Sequence, residues 1–135
     1  MFKKMIVSFI FFTLFFGINK SYTSDEIPSK SIIYYFHDDV RCASCRLIEQ
    51  YTTEVYNENF KDDFELKVID ISIENNRHFV KDYTLYTKSV ILSKIKDGKE
   101  VEFKNLDKIW QYLRDKKKSK AYLKEEINNF LKENN

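Results

Sequence analysis

The sequence has few of the residues on which several common kinds of site depend. It contains only two glycines, two cysteines and one proline among 135 residues. Two glycines cannot build a Gly-rich phosphate loop, so we expect no flavin and no other cofactor. Two cysteines exclude a zinc site made of four thiolates within one chain. The only proline, Pro28, lies near the N-terminus and leaves the rest of the chain without one.

One long apolar run occurs, and it lies at the start of the chain. Lys3 and Lys4 precede it, and it extends from Met5 to Ile18, a pattern typical of a secretory signal. At about 14 residues it is short for a membrane-spanning helix, which needs about 20. We predict that residues 1–24 are a signal peptide, either cleaved or retained as an anchor. Residues 25–135 would then form one exported domain, in the periplasm or another extracytoplasmic space.

The charges of the two predicted segments differ. Removing residues 1–24 leaves 20 basic against 21 acidic residues, so the net charge falls from +2 to about −1. The charge of this nearly neutral domain gives no reason to expect nucleic-acid binding. We expect membrane contact only through residues 1–24, if they are retained.

The hydrophobic pattern predicts alternating strands and helices. The Asp97-Gly98 pair is typical of a two-residue hairpin turn between the last two strands. Strands are predicted over residues 31–37, 64–73, 89–96 and 100–104, the second of them buried. Helices are predicted over residues 43–59, over residues 74–83, after an N-cap at Asp107, and after a polar break at residues 116–119.

The two cysteines form a C-x-x-C at the junction between the first strand and the first helix. Cys42 precedes the helix pattern, and Cys45 lies three residues on, which a helix brings to the same face. A helix N-terminus has partial positive charge and unpaired N–H groups, which stabilise a thiolate. We predict a redox-active dithiol in which Cys42 attacks and Cys45 resolves the mixed disulfide. Arg41 and Arg46 flank the pair, and either cation could stabilise the thiolate further. Arg41 could also line the substrate groove.

The order of elements, with C-x-x-C after the first strand, resembles the thioredoxin-like fold over residues 31–133. The resemblance implies an α/β fold with a four-stranded mixed sheet, in which a βαβ unit is followed by a β-hairpin and C-terminal helices. It also implies a thiol–disulfide oxidoreductase. Its partners would be cysteine-containing exported proteins or a membrane electron donor.

A closer resemblance exists to small exported bacterial proteins of the nitrophenyl compound nitroreductase subunit ArsF family. That family name implies a redox accessory protein, or a non-enzymatic subunit of a redox complex. The similar segments are Tyr35-Phe36-His37, Arg41-Cys42-Ala43-Ser44-Cys45, residues 76–83, residues 85–87 and residues 106–110.

Two positions differ from the thioredoxins that the chain resembles. Those proteins have a buried acid six residues before the first cysteine, where this chain has Phe36. They also have a cis-proline before the third strand, where this chain has Ser89. A cis bond without proline costs about 2.5–4 kcal/mol, so we predict a trans peptide between Lys88 and Ser89. Ser89 would lie opposite the cysteines and help to shape the substrate groove.

His37 leaves three interpretations open. It lies five residues before Cys42, at the predicted end of the first strand. It could carry protons, it could be a third metal ligand beside Cys42 and Cys45, or it could be a partly exposed strand-end residue. The missing proline motivates the metal alternative, in which the two thiolates and His37 bind copper or zinc.

Overall fold

The computed structural model describes residues 30–133. The predicted signal segment, residues 1–24, lies outside these residues. Within them, no helix has both the length and the apolar character needed to cross a membrane. The strands are β1 (Ser31–His37), β2 (Phe64–Asp70), β3 (Ser89–Lys96) and β4 (Lys99–Asn105), and the helices are α1 (Ala43–Asn59), α2 (His78–Asp82), α3 (Ile109–Tyr112) and α4 (Lys116–Lys132), with a 3₁₀ turn at Glu74–Asn76.

The strands form one mixed sheet in the order β2-β1-β3-β4. Strand β1 is parallel to β2 and antiparallel to β3, and β3 is antiparallel to β4. Asp97 and Gly98 both have positive φ, as the predicted hairpin turn requires. This topology confirms the predicted α/β, thioredoxin-like fold class: a βαβ unit, then a hairpin, then helices.

The sheet separates two apolar layers, and β1 supplies side chains to both. Because side chains alternate along a strand, Ile33 and Tyr35 face one layer, while Ile32, Tyr34 and Phe36 face the other. The first layer contains the buried faces of α1, α3 and α4. The second contains Tyr83 and Leu85, with Phe79 of α2 packed against them. Burial on both sides explains why residues 32–36 of β1 are all apolar or aromatic.

The second strand is shorter and more exposed than predicted. It ends at Asp70 rather than at residue 73, and only Phe64 of its residues is buried. The Asp70 carboxylate accepts hydrogen bonds from the backbone N–H and the hydroxyl of Ser72, at 2.9 and 2.6 Å, which turns the chain out of the sheet. Since β2 lies at the sheet edge, its remaining side chains are only partly covered.

The starts of the last two helices also differ from prediction. The N-cap of α3 is Lys108 and has no side-chain cap, so the predicted cap at Asp107 is wrong. The predicted break at residues 116–119 is also wrong, because α4 begins at Lys116. Asp115 caps it by accepting a hydrogen bond from the Lys118 N–H at 3.0 Å. The buried Ser119 donates its hydroxyl to the Tyr112 carbonyl at 2.7 Å, which satisfies a polar group inside the helix pair.

Candidate functional site

The two cysteines lie at the start of α1 and are joined by a disulfide. Their sulfur atoms are 2.01 Å apart and their Cα atoms 5.1 Å apart. Cys42 is the N-cap of α1, and Cys45 lies in its first turn. Cys42 is exposed to solvent, whereas Cys45 is fully buried. The strand–helix junction therefore presents one sulfur to solvent and holds the other inside the protein.

The helix terminus provides hydrogen bonds to Cys42. The Cys45 backbone N–H donates to the Cys42 Sγ at 3.2 Å, and the Arg46 N–H donates to the Cys42 carbonyl at 3.1 Å. No acidic residue lies in the first turn of α1. An N–H directed at the sulfur and the positive end of the helix both favour a thiolate at Cys42 once the disulfide is reduced.

Tyr35 lies beneath the dithiol, a position that was not predicted. Its ring is fully buried, and its hydroxyl donates a hydrogen bond of 2.7 Å to the Cys45 carbonyl. Burial, and after it the negative charge of Glu49, raise the pKa of Tyr35 to about 12. The hydroxyl therefore stays protonated and ties the first turn of α1 to β1.

Phe36 does not lie on the dithiol side of the sheet. Its ring packs in the opposite layer, with centroids 5.1 Å from Phe79 and 5.4 Å from Tyr83. The residue six positions before Cys42 therefore faces away from the dithiol in this protein. Strand alternation could have predicted Tyr35 instead, because neighbouring residues of β1 point to opposite faces of the sheet.

His37 is buried, so the interpretation as a partly exposed strand-end residue is wrong. Its Nδ1 lies 2.7 Å from the Asp38 carbonyl oxygen, and its Nε2 lies 3.1 Å from a guanidinium nitrogen of Arg41. A carbonyl only accepts and a guanidinium only donates. The contacts therefore assign the tautomer with the proton on Nδ1, and both ring nitrogens have partners.

Arg41 and Glu49 form an ion pair beside the dithiol. The Arg41 guanidinium donates to the Glu49 carboxylate and also to His37, so it links the loop to both α1 and the end of β1. The two side chains are 34% and 26% exposed, which leaves the pair partly open to solvent. Glu49 was not among the predicted site residues, although it lies one helical turn after Cys45 and therefore on the same face.

The segment before β3 is fixed by three contacts. The Ser89 hydroxyl donates to the Thr87 carbonyl at 2.8 Å, and the Trp110 indole N–H donates to the Lys88 carbonyl at 3.1 Å. Lys88 also pairs with Asp38 at 2.9 Å, and this hydrogen bond lowers the pKa of the Asp38 carboxyl. Trp110 therefore anchors this segment in addition to packing in the core. Ser89 is buried, with its hydroxyl directed into its own loop.

The backbone before β3 has a trans peptide at Ser89 and a left-handed residue at Thr84. No cis peptide occurs among residues 30–133, so the bond between Lys88 and Ser89 is trans, as predicted. Thr84 has a φ of 50°, a left-handed conformation that is unfavourable for a β-branched residue. Two residues later, the Tyr86 side chain is 91% exposed.

Of the three predicted metal ligands, the structure brings the two cysteines together, whereas His37 contacts other groups. Both ring nitrogens of His37 have hydrogen-bond partners, and the two cysteines are bonded to each other. Among residues 30–133, no group of three or more His, Cys, Asp or Glu side chains is arranged to hold a metal ion.

Comparisons with known proteins give matches among solved structures alone. No protein-family model matches the chain, and no curated protein does. The chain is similar to thioredoxin f2 of Chlamydomonas reinhardtii, with 14% identity and a TM-score of 0.43, over 65% of this chain and 81% of the other. It is similar to a Fasciola hepatica thioredoxin, with 22% identity and a TM-score of 0.41, over 64% and 80%. For a Thermus thermophilus thioredoxin the values are 15%, 0.39, 63% and 72%.

The geometry of the site supports a conclusion about the protein. The predicted βαβ unit and hairpin are present in one sheet, the first helix begins at the cysteines, and the segment before β3 is tied to the loop that precedes them. The chain is an α/β protein of thioredoxin-like fold with a Cys-Ala-Ser-Cys disulfide at the N-terminus of its first helix.

Proposed function

We propose that the protein is a thiol–disulfide oxidoreductase that uses Cys42 and Cys45. The observation that carries this proposal is the unequal exposure of the two cysteines, with Cys42 exposed and Cys45 fully buried. An attacking thiol must reach a disulfide on another molecule, whereas a resolving thiol needs to reach only its neighbour. The N–H directed at the Cys42 sulfur supports the same assignment, because it stabilises the nucleophilic thiolate.

The reaction is a pair of thiol–disulfide exchanges. The Cys42 thiolate attacks one sulfur of a partner disulfide, whose S–S bond breaks, and the departing partner thiolate takes a proton from water. Cys45 then loses its proton to solvent and attacks the Cys42 sulfur of the mixed disulfide. This forms the Cys42–Cys45 bond and releases the second partner thiolate. Two electrons pass from the dithiol to the partner, and the reverse sequence oxidises a partner dithiol.

Two exposed apolar side chains support a surface for the partner. Val40 lies in the loop that leads to Cys42, and Tyr86 lies in the segment before β3. The ion pair between Lys88 and Asp38 links these two parts of the chain. In this proposal Val40 and Tyr86 contact the partner beside its disulfide, while Ser89 and Arg41 shape the groove.

The sequence supplies the proposed location and partners. Residues 1–24 support export, by either a cleaved signal or a retained anchor, so the partners would be exported proteins with cysteines or a membrane electron donor. The sequence resemblance to the ArsF family implies a redox accessory protein or a non-enzymatic subunit of a redox complex. Intact mass of the protein from the producing cells would show whether the segment is cleaved, and copurification from native membranes would identify a complex.

Exchange with oxidised glutathione, followed by stopped-flow fluorescence, tests the chemistry. We expect Cys42→Ser to lower the exchange rate of the reduced protein at least about a hundredfold, because the nucleophile is lost. The matched variant Cys45→Ser should still react and accumulate a mixed disulfide with one glutathione, detectable by mass spectrometry. A Cys42→Ser protein that reacted as fast as the wild type would contradict the proposal.

A further inference from the structure

Glu49 lies on the same face of α1 as both cysteines. It follows Cys42 by seven residues and Cys45 by four, spacings that align side chains along a helix. Helical side chains lean toward the N-terminus, and the Glu49 carboxylate reaches Arg41, which precedes the helix. The negative charge of Glu49 is therefore carried toward the dithiol end of α1 rather than away from it.

The charge of Arg41 is compensated in the folded protein. Its guanidinium contacts the Glu49 carboxylate and the Nε2 of His37. The charges of both Arg41 and Glu49 act on the Tyr35 hydroxyl, which is bonded to the Cys45 carbonyl. The pair therefore lies within electrostatic reach of the first turn of α1.

Two other carboxylates near the first turn of α1 have partners other than Arg41. Asp38 is paired with Lys88, and Asp70 accepts two hydrogen bonds from Ser72. Neither forms an ion pair with Arg41, although the charge of Arg41 acts on Asp70 over a longer distance, so Glu49 is the carboxylate in direct contact with this cation. The groups that surround the dithiol end are Tyr35 and His37 of β1, Asp38, Asp39 and Arg41 of the loop, Arg46 and Glu49 of α1, Asp70 at the end of β2, and Lys88 before β3.

We propose that Glu49, by neutralising Arg41, sets the acidity of the Cys42 thiol and thereby the redox potential of the dithiol. This inference rests on the oxidoreductase function proposed above. With Glu49 in place, the helix N-terminus is the principal source of thiolate stabilisation. Without Glu49, Arg41, which directly precedes Cys42 in the chain, would lose its paired carboxylate, and its positive charge would further favour the thiolate. A more stable thiolate favours the reduced form and makes the disulfide a stronger oxidant.

The two partners should therefore act in opposite directions. Glu49→Gln should lower the pKa of the Cys42 thiol by about half a unit or more, a modest shift because the pair is partly solvated. Arg41→Gln should raise that pKa, since it leaves the Glu49 charge without a partner. The double variant Arg41→Gln/Glu49→Gln should return close to the wild-type value, because both charges are then absent.

The test measures thiolate absorbance of the reduced full-length protein against pH, together with the equilibrium against glutathione. Glu54→Gln is the matched control: it removes the same charge from α1 away from the dithiol and should leave the Cys42 pKa unchanged. Opposite shifts in the single variants, restored in the double variant, would support the proposal. If Arg41→Gln failed to fold by circular dichroism, the sign of the Glu49→Gln shift would still decide it.

The outcome separates this inference from the oxidoreductase function on which it rests. A wild-type protein that exchanges with glutathione, while Glu49→Gln leaves the thiol pKa and the equilibrium unchanged, would overturn the role of Glu49 alone. A shift of the same size in Glu54→Gln would overturn it too, since a general charge effect would then suffice. A wild-type protein that does not exchange would instead overturn the proposed function.

Discussion

Glu49 and Glu54 lie five residues apart on α1, and each pairs with basic side chains from another part of the chain. Glu49 pairs with Arg41 of the loop before the helix. Glu54 accepts hydrogen bonds from Lys116 and Lys120 of α4, at 3.0 and 3.1 Å. The same kind of ion pair therefore lies beside a reactive group at one end of α1 and between two helices at the other.

The two ion pairs differ in the groups that surround them. The dithiol end places charges around the first helical turn, where they can change the acidity of a thiol. At the other end, Lys120 also binds Glu58 at 2.7 Å, so α1 and α4 are joined by a small network. Exposed ion pairs contribute little each to stability. An ion pair of modest strength matters most where a neighbouring group titrates or reacts.

A substitution of Ile48 should have the largest effect, because it should destabilise both ends of α1 at once. It is fully buried on α1, between Cys45 and Glu54, in the layer that contains α4. Ile48→Ala should lower the free energy of unfolding by about 2–5 kcal/mol, because it leaves a cavity in the core. Urea denaturation measures this change. A loss below about 1 kcal/mol would mean that α1 is held by its polar contacts instead.

Tyr35→Phe should affect the dithiol end alone. It removes the hydrogen bond to the Cys45 carbonyl and should lower the free energy of unfolding by about 1 kcal/mol. Unfolded tyrosine ionises near its ordinary pKa of 10.0, whereas in the folded protein the pKa of Tyr35 is raised to about 12. Its contribution to stability is therefore complete below pH 10 and declines as the pH rises toward 12.

The variant should thus lose stability less steeply than the wild type between these pH values. Denaturation at intervals of pH would measure the slopes. Equal alkaline slopes in the two proteins would show that Tyr35 is not held protonated. The control is the acid dependence of stability described below, which depends on the contact between Lys116 and Glu54. It should be the same in Tyr35→Phe as in the wild type.

Asp115→Ala should affect the α4 end alone. Asp115 is the N-cap of α4, and its loss should lower the free energy of unfolding by about 1 kcal/mol. The rate of exchange with glutathione should stay at the wild-type value, because α4 does not contact the dithiol turn through this residue. A change in the exchange rate would show that the two ends are coupled. Asp115→Asn, which retains a capping side chain, is the matched control.

Glu54→Gln should have the smallest effect, visible mainly in acid. Hydrogen bonds from Gln50, Lys116 and Lys120 lower the pKa of Glu54 to about 2, from 4.5. The stabilisation is present above pH 4.5 and is lost as the pH falls toward 2. The wild type should therefore lose its advantage over Glu54→Gln across this interval, and salt should reduce it. A difference that stayed constant with pH would contradict the assigned pairing.

Local patterns accounted for much of the fold. The bounds of β1, α1 and β3 agree with prediction, since each has a clear hydrophobic pattern and a polar boundary. The start of α4 was not predicted, because the polar residues around Ser119 are typical of a turn. Only the folded structure shows that Ser119 is buried in the helix and bonded to the Tyr112 carbonyl. Strand β2 was predicted too long, because its apolar pattern continues beyond the turn at Asp70.

The sequence alone determined the dithiol, its place between a strand and a helix, and the order of the elements around it. These features depend on residues close together in the chain, where periodicity and turn chemistry act. Tertiary structure decided which groups surround the dithiol: Tyr35 rather than Phe36, and Glu49 as the partner of Arg41. Hydrogen bonds and charge pairs depend on a few ångströms across separate elements, and only the packed register of strand and helix specifies such distances.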